Sequence, residues 1–296
     1  MRQRVLILLT TLVVSLVSGA TVQAIPRTFV ATHGDDLNNC NRSNPCRTFS
    51  RGVQQVDSRG EVIALNSGGF GRFTADKSVT VLAAPGVFAG VTAMANQTAI
   101  TINAANGDTV VLRGLVLRGT FNTSQISFGI MGGSNDVSVH VESCSLSGFA
   151  IGIGTIGTGQ LFVKDTFFRD SGSGIQAVGR ATFDNCRIEG NGTGLLAGTG
   201  STVTIRRSVI ADNGQALTAG GSGTQLNIDD CTVSNNNHGI RSDSPGSVVR
   251  VANTTVTGNN TGLLSFGGAL LSRSPATNTV EGNMTNGSFT GTFAAK

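Results

Sequence analysis

Between Arg180 and Asn259 one pattern is written four times: ATFDNCRIEGNGTGLLAG, TVTIRRSVIADNGQALTAG, TQLNIDDCTVSNNNHGIRSD and SVVRVANTTVTGNNTGLLSF. The copies share apolar residues at alternate positions, then a small Cys, Ser or Thr, then an Asn five residues later, then a small residue before a new apolar pair. The small anchor falls at Cys186, Ser208, Cys231 and Thr254, giving a period of 22 or 23 residues. A fixed period in this range marks a repeat architecture in which each unit buries its apolar side only against its neighbours. The alternation is that of strands rather than helices.

The anchor column extends upstream through Leu115, Cys144 and Thr166, with an insertion only between the first two, around residues 121–133. The position five beyond the anchor becomes Asn191, Asn213, Asn236 and Asn259, with Asn283 fitting a looser last coil. An asparagine recurring at one turn of every coil is expected to form a ladder, its amide satisfying turn backbone groups above and below. Parallel coils lie about 4.8 Å apart. Cys144, Cys186 and Cys231, on every second coil, would then be about 9.6 Å apart, beyond the roughly 7 Å Cα limit for a bridge. Three buried free thiols are expected. Cys40 and Cys46 sit in a polar loop and read as a disulfide in an exported chain.

Residues 1–24 read as a secretory leader: Arg2 and Arg4, an apolar run over residues 5–17, and a small-residue cleavage site at Val22-Gln23-Ala24. The mature chain is then expected to be periplasmic or extracellular. Removing both arginines takes the formal charge from +4 to +2. That is too weak a balance for nucleic acid, and no basic cluster with interleaved aromatics occurs. No later segment is apolar enough to span a membrane as a helix. Residues 25–60 are expected to supply a first strand, the disulfide loop and one short amphipathic helix over residues 48–56, which carries Phe49, Val53 and Val56 on one side and caps the stack. Residues 61–296 are expected to form the solenoid proper, all-β, with about ten coils of three short strands.

These repeats, especially their N-x-x-G-(I/L) turns, resemble those of right-handed parallel β-helix proteins with the pectate-lyase-like fold. The opening RTFVATHGDD, NPCRTFSRGVQQV and GEVIAL segments resemble the N-terminal part of exported bacterial β-helix proteins of unassigned function. The resemblance implies the fold, not one chemistry, since this architecture hosts lyases, hydrolases, epimerases and adhesins.

One grouping looks chemical: Asp229-Asp230 followed by His238, Arg241 and Asp243. Polygalacturonase-like members of the superfold use paired aspartates, a Gly-His-Gly and an Arg-x-Lys. Here the sequence offers Asn237-His238-Gly239 and Ile240-Arg241-Ser242, with different neighbours. Moreover, the column of Asp229 runs Arg113, Glu142, Lys164, Asp184, Arg206, Asp229, which reads as a charge ladder between coils. Asp35 and Asp36 in the His33-Gly34-Asp35-Asp36 loop offer oxygen to a calcium ion, but the ligand set is incomplete and an Asp-Gly turn accounts for them. The literal G-x-G-x-x-G at residues 152–157 opens no helix, so a dinucleotide site is not expected. Trp and Tyr are absent, and coil lengths are nearly constant, so a flat surface without aromatic platform or cleft walls is expected. The expected function is a non-catalytic solenoid that presents an elongated surface to a polysaccharide or cell-surface partner, with no cofactor. Leu196, Leu264 and Phe266 are expected to make an outward apolar stripe. The alternative is a carbohydrate-active enzyme, a polysaccharide lyase or glycoside hydrolase.

Overall fold

The computed structural model describes residues 24–120, 125–133, 135–154, 159–274 and 276–294. Residues 1–23 of the expected leader, and residues 155–157 of the glycine motif, lie outside that range. Among the described residues the chain winds into about ten coils that build three parallel sheets. The first sheet has 12 strands, from Arg27–Val30 to Gly291–Ala294; the second has 10, from Gly68–Gly69 to Thr279–Val280; the third has 9, from Phe73–Ala75 to Thr261–Ser265. Each strand pairs with its counterparts one coil away and in register. Phe183, Ile205, Ile228 and Val251, for example, lie in one inward column, and all are essentially fully buried. Because side chains alternate across a strand, a shift by one residue would turn that column to solvent, so the register is strongly specified.

The corners explain the repeat. Between first and second sheets, the residue before each anchor adopts a left-handed conformation: Ser143, Asp165, Asn185, Arg207, Asp230 and Asn253 all have φ between 49° and 53°. Four of these six are Asp or Asn, which tolerate this region best. The anchor then points inward. Where it is a hydroxyl it joins two coils: Ser208 Oγ accepts from Cys186 N at 3.0 Å and donates to Arg206 O at 2.8 Å. Thr166 and Thr254 serve Cys144 and Cys231 in the same way. The alternation of thiol and hydroxyl is therefore a hydrogen-bonded stack. Cys144, Cys186 and Cys231 are free and buried, and burial pushes each thiol up to about 12.

At the next corner the asparagines carry the hydrogen bonding. Asn213 Oδ1 accepts from Asn191 N at 2.9 Å, and Asn213 Nδ2 donates to Ile188 O at 2.9 Å and Ala211 O at 2.8 Å. The same contacts recur at Asn236 and Asn259 and end on Asn283. Upstream the column changes to Ser171 and Phe149, both buried.

The N-terminal end is closed differently. Thr48 caps the helix α1, Phe49–Gln55, by accepting from Arg51 N. Phe49 turns under the stack, its ring 5.1 Å from Phe70 and 5.4 Å from Phe73. Cys40 and Cys46 are disulfide-bonded. The strand Arg27–Val30 is already a member of the first sheet, in register with Gly60–Ala64, so the segment 25–60 is continuous with the solenoid. On its outer side the disulfide loop pairs with it through Phe29 N to Cys40 O and Ala31 N to Cys46 O. That cover removes the exposed strand edge on which other chains could otherwise pair.

Candidate functional site

The residues singled out around His238 do not assemble. Asp230 is a left-handed corner residue with φ 53°. Asp229 faces outward on the first sheet, and its Oδ1 accepts from Asn253 Nδ2 at 2.8 Å. His238 stands on the third sheet, in register with Gln215 and Thr261. Its Nδ1 is buried without a partner among the described residues. Arg241 is in register with Thr218 and Leu264. Its Nε and Nη2 each donate to Asp243 at 3.0 Å, and its guanidinium lies 5.5 Å from the centre of the Phe266 ring. A bidentate pair covered by an aromatic ring satisfies itself. The aspartates and the histidine are thus on different sheets, and the cation is committed. Leu196 and Leu264 are half-buried, and Phe266 is exposed but occupied by Arg241.

Asp35 and Asp36 serve the loop backbone. Asp36 Oδ1 accepts from Arg47 N at 2.8 Å and Thr48 N at 2.9 Å, and Oδ2 accepts from Thr48 Oγ1 at 2.9 Å. Asp35 Oδ1 accepts from Leu37 N at 3.0 Å. Among the described residues no cluster of three or more His, Cys, Asp or Glu side chains is placed to hold a metal.

The outer face of the first sheet is different. Its middle outward column runs Val111, His140, Phe162, Thr182, Thr204, Asn227, Arg250. His140 and Phe162 stack with ring centres 4.8 Å apart and planes 19° apart, and Phe162 is 36% exposed. A depression of about 190 Å³ lies on one side, between Phe162, Lys164, Asp184 and Arg206. Another of about 220 Å³ lies on the other, lined by Gln160, Arg180, Thr182, Thr202 and Thr204. The surface is therefore not flat, although no loop walls it. Relief comes from side-chain size, because long Phe162, Lys164 and Arg180 stand beside short threonines.

The neighbouring outward column has the expected alternation of charge, but only some rungs close. Arg113 Nε meets Glu142 Oε2 at 2.7 Å. Asp184 Oδ2 takes both Arg206, at 3.4 Å, and the corner residue Arg207. Lys164 instead leans to Asp165 of its own coil at 3.9 Å, and Asp229 turns to Asn253. The carboxylates of Glu142 and Asp184 are occupied by guanidinium groups. Asp184 Oδ1 is buried in the wall without a partner among the described residues.

The aromatic platform is what the sequence reading missed by looking for Trp and Tyr. The signal was present: His140 and Phe162 each lie four residues before an anchor, Cys144 and Thr166.

The family model described as "Right handed beta helix region" matches residues 128–285. The chain belongs to the right-handed β-helix family. Solved structures similar to this β-helix include "pectate lyase Pel9A" (15% identity over 88% of this chain and 72% of that one, TM-score 0.55). A structure of XylC in complex with xylose is 10% identical over 83% of this chain and 69% of that one, with TM-score 0.56. A rhamnogalacturonan lyase is 13% identical over 83% and 75%, with TM-score 0.51. At these identities the likeness is one of fold. No curated protein sequence matches the chain. No helix among the described residues of the β-helix is long and apolar enough to cross a membrane.

Proposed function

We propose that this β-helix binds a polysaccharide along the outer face of its first sheet and holds it without cleaving it. The observation that carries the reading is the His140–Phe162 stack, standing between two depressions lined by hydroxyl, amide and cationic side chains. A sugar ring has an apolar face that lies on an aromatic ring, and hydroxyl edges that need hydrogen-bond partners. Phe162 offers the first, while Thr182, Thr204 and Gln160 offer the second. A solenoid repeats such positions about every 4.8 Å along its axis, which suits a polymer rather than a single small molecule. The similar structures, two lyases and a xylose complex, support carbohydrate as the partner class.

Hydrolysis at a glycosidic bond uses two available carboxyl groups about 5–9.5 Å apart. Glu142 and Asp184, the two acids beside the platform, are instead paired with Arg113, Arg206 and Arg207. Binding without cleavage fits that arrangement. An exported, oxidising location fits the buried disulfide.

Native gels cast with uronate, xylan and glucan polymers test the reading. Retarded migration in at least one polymer, with no unsaturated product by absorbance and no new reducing ends, is the expected result. Product formation would establish the competing lyase or hydrolase function, and unretarded migration in every polymer would remove the binding function.

A further inference from the structure

The charge alternation on the first sheet breaks at Ala252. The outward column reaches it from Arg206 and Asp229. Arg273, one position beyond the Val251–Ser272 pair, follows Ala252 and is itself in register with Phe293. Where a cation would follow Asp229 in the series, the side chain ends at Cβ. A cavity of about 670 Å³ opens there, lined by Asn227, Asp229, Arg250, Arg273 and Phe293 among others. That lies within the usual volume range of ligand sites. Arg250 enters from the neighbouring column, with Nη1 held by Gln225 Oε1 at 3.1 Å and Asn227 Oδ1 at 3.4 Å. Both of these acceptors are neutral. Asp229, the acid in the wall, is engaged by Asn253. Among the described residues neither guanidinium has an ion-pair partner, in contrast to the charges beside the Phe162 platform.

We propose that this cavity binds a carboxylate-bearing ligand. Arg250 and Arg273 take the carboxylate oxygens, because a guanidinium fork matches a planar carboxylate, and Phe293 lies against the ligand's apolar flank. The site goes beyond the polysaccharide reading: it is four coils from Phe162, roughly 19 Å along the axis. A free small diacid and the end of an acidic oligosaccharide present the same chemistry.

Isothermal titration of the full chain with malonate, trigalacturonate and inorganic phosphate separates the possibilities. One saturable site for malonate, trigalacturonate or both is expected, and which of them binds identifies the source. Arg273→Gln is expected to weaken it at least tenfold. Ala252→Asp places an internal carboxylate before the same guanidiniums and is expected to abolish binding with an unchanged circular-dichroism spectrum. Phe162→Ala, which removes the polysaccharide platform, should leave it intact. No saturable binding of either acid, or full affinity in both Arg273→Gln and Ala252→Asp, would overturn the proposal. Phosphate binding as tightly as the carboxylates would overturn the planar-carboxylate assignment.

Discussion

The corner between the second and third sheets is built in two ways in one molecule. From Asn191 to Asn259 it is an amide ladder in which every rung bonds the coil above and below, and Asn283 is its last acceptor. Towards the N-terminus the column passes through Ser171 to the buried ring of Phe149, and the end of the stack closes on Phe49, Phe70 and Phe73. Hydrogen bonds are directional and fix a repeat length, so coils in the ladder region run only from 22 to 24 residues. Aromatic packing is tolerant of shape, and the 29-residue interval from Leu115 to Cys144 falls in that half. Regularity here is a consequence of polar corner chemistry, while the apolar interior is common to both halves.

The largest effect should come from the interior. Ile205→Asp buries an unpaired carboxylate at a fully covered mid-stack site, which costs several kcal/mol. Loss of the cooperative thermal transition is expected; melting like the unaltered protein would refute the inward register.

Alkali should act on both halves, since Cys186 and Cys231 lie in ladder coils and Cys144 lies in the coil of Phe149. Their native thiols titrate near 12 against 9.0 for an exposed thiol. A group raised in the native state stabilises fully below the unfolded value and loses that contribution as pH climbs towards the native one. Stability should therefore fall between about pH 9 and 12, by roughly 1.4 kcal/mol per thiol at pH 10, or about 4 for all three. Urea titrations at several pH values check this, and replacing all three by alanine should flatten the slope. Thiol reagents should find three reactive groups only after unfolding.

Asn213→Ala removes the acceptor of Asn191 N and the donor to Ile188 O, leaving buried partners unsatisfied. About 2–3 kcal/mol is expected, read as a lower denaturation midpoint. Ser171→Ala, at the start of the ladder, should cost about 1 kcal/mol. Equal losses would mean that the ladder does not distinguish the halves. Reducing the Cys40–Cys46 bridge should cost about 2 kcal/mol, as expected for so short a loop. Hydrogen exchange should rise around the first strand and α1 and stay low beyond Arg180.

Much of this was legible in the sequence because the architecture writes itself column by column. The 22–23-residue period, the thiol and hydroxyl anchors and the asparagines each follow from one corner geometry. Less legible was the left-handed residue before each anchor. Asn185 and Asp230 suit it, but Arg207 occupies the same conformation with no mark of it in its residue type. The outer face was harder still. Whether Lys164 reaches across to Asp184 or leans to Asp165 depends on rotamers, not on register. The stacked pair His140 and Phe162 becomes visible only when two coils are aligned on their anchors. The His238, Arg241 and Asp243 group looks chemical in the sequence, yet the Arg241–Asp243 pair satisfies itself under Phe266.

That contrast between an open platform and a closed ion pair gives the most direct test. Titration of the polymer that retards the protein should be run on the unaltered chain, Phe162→Ala and Arg241→Ala side by side, with melting curves for each. The account predicts at least about fivefold weaker binding for Phe162→Ala at an unchanged melting temperature, as expected for loss of about 1–3 kcal/mol of stacking by analogy with other ring–aromatic contacts, and unaltered affinity for Arg241→Ala. Full affinity in Phe162→Ala together with lost affinity in Arg241→Ala would contradict it and move the site to the third sheet.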